Sequence, residues 1–251
     1  MKYMGSKNRL AKYILPIILK NRKKDQYFYD LMCGGGNICD KIPHPVVAND
    51  SDYYTISALK MIRDSIDKIP KNNTEFTEDH YNEFKQFVKL CKEHNDEKKL
   101  SHSIGLIGYA GFTYSYSGKF FGGWARGNAS NGSPRDYVAE SYRNAVKQSP
   151  NLQHVTLTNY DYWEIPLYPN SIIYLDPPYK NSTKYRKKDF DYDFFYNWCV
   201  EKSNEGHEVY ISEYQMPDDR FECIWEKEVN NSLTKNTGGK KGVEKLFSVK
   251  K

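Results

Sequence analysis

Apolar positions along the first third of the chain change period twice. Residues 8–20 place Leu10, Tyr13, Ile14, Ile17 and Ile18 on one stripe, which predicts a helix that Pro16 bends or ends halfway. Residues 27–32 (YFYDLM) are apolar and aromatic and run into Gly34, Gly35 and Gly36, which predicts a buried strand feeding a glycine turn. Residues 45–49 (PVVAN) predict a second strand; Asp50 and Asp52 follow it, then a helix from Tyr54 to Asp67.

From about Lys71 the pattern changes. Residues 77–93 predict an amphipathic helix capped by Thr77, with Tyr81, Phe84, Val88 and Cys91 on one face. Residues 105–132 hold eight of the 16 glycines together with Phe112, Tyr114, Tyr116, Phe120, Phe121 and Trp124, which predicts a glycine–aromatic loop or hairpin and no regular helix. Residues 133–149 predict a helix with Ser133 as cap and Pro134 at its first position. After Pro150 strands and helices alternate again: strands at 154–159, 171–175 and 208–212, a helix at 191–203, and two further strands within 221–249, antiparallel if they form a hairpin. Such alternation predicts an α/β sheet with helices on both faces. Residues 1–70 with 151–251 form the main domain, and 71–150 reads as an inserted subdomain.

The 251 residues suit one large domain, or one domain carrying an insertion. The net charge of +5 permits an anionic partner without demanding one. No apolar run reaches the roughly 18–20 residues of a membrane span, and the charged start MKYMGSKNRL does not read as a secretory signal. The five cysteines show no C-x-x-C spacing, so neither a structural metal nor a disulfide framework is expected; a reducing, cytoplasmic setting is.

Ligands of such sheets sit at the carboxyl ends of the strands. Four of the expected strands end in loaded segments: Asp30 to Gly36, Asn49-Asp50, Asn159 to Asp161, and Asp176-Pro177-Pro178-Tyr179. The glycine turn lets a ligand approach the backbone but is not G-x-G-x-x-G, which argues against a nicotinamide enzyme. Asp50 is placed to accept from both ribose hydroxyls of a nucleoside, or to cap the next helix. At 176–179 two prolines remove two backbone donors. The Asp176 carboxylate and the Pro177 carbonyl can then accept from one amino group, while Tyr179 stacks on the ring that bears it.

The set Tyr3-Met4-Gly5-Ser6-Lys7, Asp30 to Gly36, Asp50, Asp161 and Asp176 to Tyr179, in that order, resembles the Dam-type DNA adenine-N6 methyltransferases, most closely their short phage-like members. The likeness covers nearly the whole chain. It departs at Asp30, where many members carry Glu, at Leu31, often Pro, and at 159–161, where many show Gly-Asp-aromatic.

The resemblance implies the class I methyltransferase fold, a Rossmann-like, seven-stranded mixed sheet, with 71–150 as a mainly helical target-recognition subdomain. It implies S-adenosylmethionine as cofactor and double-stranded DNA as partner, with no metal and no membrane; a restriction endonuclease partner is not readable. Lys7 would hold the methionine carboxylate and Tyr3 would pack on the cofactor. Gly34 and Gly36 would line its methionine part beside Asp30. Asp50 would bind the ribose and Asp161 the adenine amine. Asp176 would serve cofactor and target, with Pro177, Pro178 and Tyr179 completing the catalytic turn. Residues 111–127 could be ordinary packing, or could carry Tyr114, Lys119 and Arg126 to DNA. The run 184–188, with Lys184 and Arg186, could touch phosphates beside a flipped base, or be a solvated face. The same fold acting on RNA or a protein amide, or an inactive DNA-binding relative, are the alternatives.

Overall fold

The structure, a computed structural model, describes residues 1–93, 104–178, 190–230 and 241–250. Tyr179, Lys184 and Arg186 lie outside the described residues. The strands are β1 Phe28–Asp30, β2 Val46–Asn49, β3 Val155–Thr158, β4 Ile172–Leu175, β5 Glu208–Glu213, β6 Phe221–Asn230 and β7 Lys241–Val249. They form one seven-stranded sheet in the order β3-β2-β1-β4-β5-β7-β6. The first five run parallel, and β7 is antiparallel to both β5 and β6.

Successive residues of the parallel strands face opposite cores, as a sheet covered on both sides requires. Phe28, Val46, Ala48, Ile172 and Tyr174 face helices α1 Ala11–Ile18, α2 Tyr53–Asp64, α3 Glu78–Glu93, α4 Ile104–Thr113 and α5 Tyr137–Leu152. Tyr29, Val47, Ile173 and Leu175 face α6 Tyr192–Asn204, through Phe195, Tyr196, Trp198 and Cys199. The helices of segment 71–150 share the larger core: Tyr81, Tyr109, Val138 and Leu152 are buried in the same cluster as Phe28 and Ile172.

Three expectations need correction. The first helical pattern becomes a 3-10 turn, Lys7–Arg9, followed by α1, and the glycine-rich segment opens with a true helix, α4. Gly105, Gly108 and Gly111 recur every three residues and so lie along one side of α4. A Cβ on Gly108 would stand 2.3 Å from the Tyr54 carbonyl oxygen of α2, and one on Gly105 3.2 Å from that of Ser57. The glycines let two helix backbones touch, and that packing outweighs their penalty of about 1 kcal/mol each in a helix. Beyond α4 the hairpin reading does apply, with Ser115 bridged to Trp124. The third correction is the start of α5. Asp136, and not Ser133, caps it, accepting from the Ala139 N–H at 2.9 Å. Pro134 is instead bridged to Asn128 in a short antiparallel turn.

Gly108→Ala tests the α2–α4 contact. Helix propensity alone would stabilise by about 1 kcal/mol, but the backbone carbonyl opposite cannot give way. A net loss of roughly 1–3 kcal/mol is expected in urea unfolding; a midpoint equal to or above that of the parent would rule the contact out.

Candidate active site

The ends of β1, β2 and β4 and the loop after β3 surround a cavity of about 750 Å³, within the range of small-molecule sites. Tyr3, Lys7, Asp30, Gly34, Asp50, Asp161, Asp176 and Pro178 all line it. These are most of the residues that the strand-end rule and the N-terminal motif single out.

One buried side chain holds three strand exits together. The Asn49 amide donates to the carbonyls of Leu31 at 3.1 Å and Tyr160 at 3.0 Å, and its oxygen accepts from the Tyr160 N–H at 3.0 Å and the Thr158 hydroxyl at 3.1 Å. The next residue, Asp50, accepts from the Gly34 N–H at 3.0 Å and the Asp52 N–H at 2.8 Å. A carboxylate has about four lone-pair sites, so two amides alone do not saturate it.

The glycine turn needs its glycines. Gly34 has φ +47°, and a Cβ there would lie 2.8 Å from the Tyr3 ring. Gly36 is a correction: it is absent from the cavity wall and turns toward Leu59 of α2, supporting the turn from behind. Gln148 of α5 reaches over to donate to the Gly35 and Gly36 carbonyls at 3.1 and 3.2 Å and to Asp40 at 2.9 Å.

Asp30 is buried at 1% exposure. Its Oδ2 accepts from the Cys39 N–H at 3.2 Å, while Oδ1 has no partner among the described residues. Burial, followed by repulsion from Asp176, pushes this carboxyl well above the usual carboxylate range. An unpaired buried acceptor in a cavity wall suits a donor or a cation bound there. Lys7, also buried, bonds Asp176 at 3.0 Å and lies 3.8 Å from Glu244. After Asp176 the chain is held by the Tyr192 hydroxyl, which donates to the Pro178 carbonyl at 2.5 Å. Pro177 is buried and outside the wall.

The residues expected to contact DNA separate. Lys119 lies in the cavity wall. Arg126 is exposed, with its guanidinium 2.6 Å from both carboxylate oxygens of Glu78. Tyr114 is a correction: it is fully buried, its ring 5.1 Å from Phe76 and 5.6 Å from Tyr109, so it belongs to the core and cannot reach a partner's surface. Sequence reasoning passed over Gln148, Glu213, and the half-exposed pair Trp163 and Phe194, which meet edge to face at 5.5 Å on the cavity rim. Trp163 follows Asp161 by two positions and Glu213 ends a strand, so the strand-end rule could have found both; a glutamine within a helix carries no such signal. Among the described residues, no three His, Cys, Asp or Glu side chains are arranged to hold a metal, and no helix is long and apolar enough to cross a membrane.

Residues 3–228 match the family described as D12 class N6 adenine-specific DNA methyltransferase. No curated protein matches the chain. Among solved structures, the rRNA methyltransferase aviRa from Streptomyces viridochromogenes is similar at 10% identity and a TM-score of 0.43, over 99% of this chain and 86% of that one. SMU.472 in complex with SAH is similar at 14% identity and a TM-score of 0.36, over 97% of this chain and 52% of that one. The family match and the strand order identify the class I methyltransferase fold.

Replacing Asn49 with Leu would keep its branched heavy-atom skeleton and strand three buried backbone groups. A loss of roughly 2–4 kcal/mol in urea unfolding is expected. Parent-like stability would mean that the strand exits are held by something else.

Proposed function

We propose, for a chain that belongs to the D12 class of N6 adenine-specific DNA methyltransferases, that one half of the cavity holds S-adenosylmethionine and the other receives an adenine flipped out of double-stranded DNA. The observation that carries this division is the convergence of Lys7, Asp30, Gly34, Asp50, Asp161 and Asp176 on a single cavity.

These residues fit the cofactor. The unpaired Oδ1 of Asp30 is an acceptor suited to its cationic part, Asp50 is a carboxylate suited to vicinal hydroxyls, and Gly34 leaves bare backbone beside Tyr3. Asp50 would hold the ribose, Asp161 the adenine amine, and Tyr3, Gly34 and Lys7 the methionine part. Bound there, S-adenosylmethionine supplies an electrophilic methyl group.

The rest of the chemistry belongs to the chain. A base inside a duplex cannot enter such a cavity, so the target adenine is flipped out, at a cost of a few kcal/mol. Its amine is a weak nucleophile because the lone pair is delocalised into the ring. Asp176 and the Pro177 carbonyl accept hydrogen bonds from its two N–H groups, which draws the nitrogen toward a tetrahedral shape and frees the lone pair; one of the two protons leaves to solvent after the methyl has transferred. Pro177 and Pro178 keep the turn stiff, Tyr192 anchors it, and Tyr179 stacks on the ring, worth ~1–3 kcal/mol. Positioning and electrostatics supply most of the acceleration. Segment 71–150 reads the target, with Lys119 and Arg126 toward DNA, and Lys184 and Arg186 meet flanking phosphates. Five unpaired thiols suit a reducing compartment such as the cytoplasm.

The test is methyl transfer from labelled S-adenosylmethionine to duplex DNA lacking N6-methyladenine, with the product digested to nucleosides. N6-methyldeoxyadenosine is expected; label in N4-methyldeoxycytidine, or in RNA alone, would overturn the reading. Asp176→Asn accepts through one oxygen only and presents a donor to the amine. Its turnover should fall by at least ~10²–10³, with thermal stability and DNA binding near those of the parent. In calorimetry, Asp50→Ala should weaken cofactor binding by roughly 1–3 kcal/mol; an unchanged affinity would remove Asp50 from the ribose site.

A further inference from the structure

Outside the cavity, one ring gathers two ammonium groups. Tyr13 of α1 has the Lys227 Nζ 3.6 Å from its ring centre and the Lys12 Nζ 5.0 Å from it. Trp225 of β6 stacks beside it, the ring centres 6.2 Å apart and the planes 21° from parallel. Strand residues alternate in direction, so Trp225 and Lys227 share the face of β6 that α1 covers. Glu226 and Glu228 point to the other face, Glu226 toward Lys245 at 3.5 Å. Lys12 is exposed and Tyr13 half-buried. Each cation is drawn to the face of the ring, while the two repel each other. The same two ammoniums, Lys227 first and Lys12 second, hold the Tyr13 phenol below its ordinary pKa, so the local field favours negative charge.

The pair stands at the level of the cavity. In the β6–β7 register Lys227 is opposite Glu244, and Glu244 lies 3.8 Å from Lys7 in the cavity wall. One strand spacing, about 5 Å, separates β6 from β7. From Lys7 the chain runs through the exposed Asn8 and Arg9 into the first turn of α1, which carries Lys12. β6 is the outer strand at the end of the sheet away from β3. Helix α2, which packs on both β3 and α4, belongs to the other end. A duplex laid over the cavity mouth therefore meets segment 71–150 toward one end of the sheet and this pair toward the other.

We propose that Lys12 and Lys227 form a site for one backbone phosphate of the DNA near the flipped adenine, with Tyr13 as the ring that gathers them. This rests on the reading of duplex DNA as substrate given above. A phosphodiester is the ligand that this chemistry fits. It is a compact anion whose oxygens accept from ammonium and phenol groups, and it relieves the repulsion between two cations drawn to one ring. When a nucleotide flips, its base enters the cavity and its phosphates stay with the backbone. That backbone has to be held while the base is out, and cations at the β6 edge hold it from outside the cavity. Such a contact fixes the register and orientation of the duplex and carries no sequence information. It adds the same affinity to every sequence, and recognition is left to segment 71–150.

The experiment is binding of the full chain to several duplexes of unrelated sequence, read by fluorescence anisotropy across a range of salt concentrations. Lys12→Gln combined with Lys227→Gln should weaken every duplex by roughly five- to tenfold near 0.1 M salt, and should lower the slope of log K against log salt by about one. Tyr13→Leu keeps both charges but not the ring that gathers them, and should weaken binding by roughly twofold. Cofactor affinity in calorimetry and the unfolding temperature should stay near those of the parent in all of these variants. A second measurement locates the contact. Neutral methylphosphonates replace single phosphates, one position at a time, in a duplex that the enzyme methylates. One position near the methylated adenine should weaken the parent and be silent in the double variant. A double variant with the parent's affinity and slope, a loss confined to one duplex, or the absence of any silenced position overturns the proposal and leaves DNA methylation standing. A parent chain that neither binds nor methylates duplex DNA overturns the reading of the substrate, and this inference with it.

Discussion

The Lys7 ammonium is a buried counter-charge at the carboxyl edge of the sheet, 3.0 Å from Asp176 and 3.8 Å from Glu244. A parallel sheet gathers its strand ends on one side, and here those ends carry Asp30, Asp50, Asp176 and Glu213, with Glu244 added by the antiparallel β7. Removing one partner of a buried pair leaves an uncompensated charge, so Lys7 and Asp176 are matched to each other at that edge. The cation has to be delivered by the N-terminal segment, which is held in turn where the Met4 N–H meets the Gly118 carbonyl at 3.1 Å and Tyr3 packs on Phe112. A loop of segment 71–150 thus holds the N-terminal segment that carries the lysine to the sheet edge.

The same loop explains why the cavity is both polar and aromatic. Its floor is made by strand ends, its walls by rings: Tyr53 and Tyr54 of α2, Phe112 of α4 and Phe120 after it. These are positions where Phe and Tyr are packed against one another, Tyr54 on Phe120 at 4.8 Å and Phe112 on Phe120 at 4.8 Å. A dry wall beside a charged floor strengthens each electrostatic contact made within it.

Much of this was readable in the chain. Strand periodicity placed β1, β2, β4 and β5 because their apolar runs are short and bounded by polar residues, and topology then brings such ends together whatever their separation. The glycines of α4 were misread because a propensity scale treats glycine as a helix breaker; only the presence of α2 makes its missing side chain an advantage. Tyr114 was misread because composition says nothing of which way a ring faces. The cap of α5 moved from Ser133 to Asp136 because Pro134 was claimed by a bridge to Asn128. Gln148 acts across space on carbonyls 112 and 113 positions away, and no local pattern announces that.

The position of β3 has a consequence for how the protein is made. Asn49 closes onto a residue 111 positions further along the chain. β2 therefore stays an open, apolar edge until α3, α4 and α5 have been synthesised and have found α2. Loops of that span close slowly, and an unpaired edge strand is where nascent chains associate wrongly. In this fold the arrival of β3 closes that edge, and β4 and β5 then extend the sheet on the other side of β1.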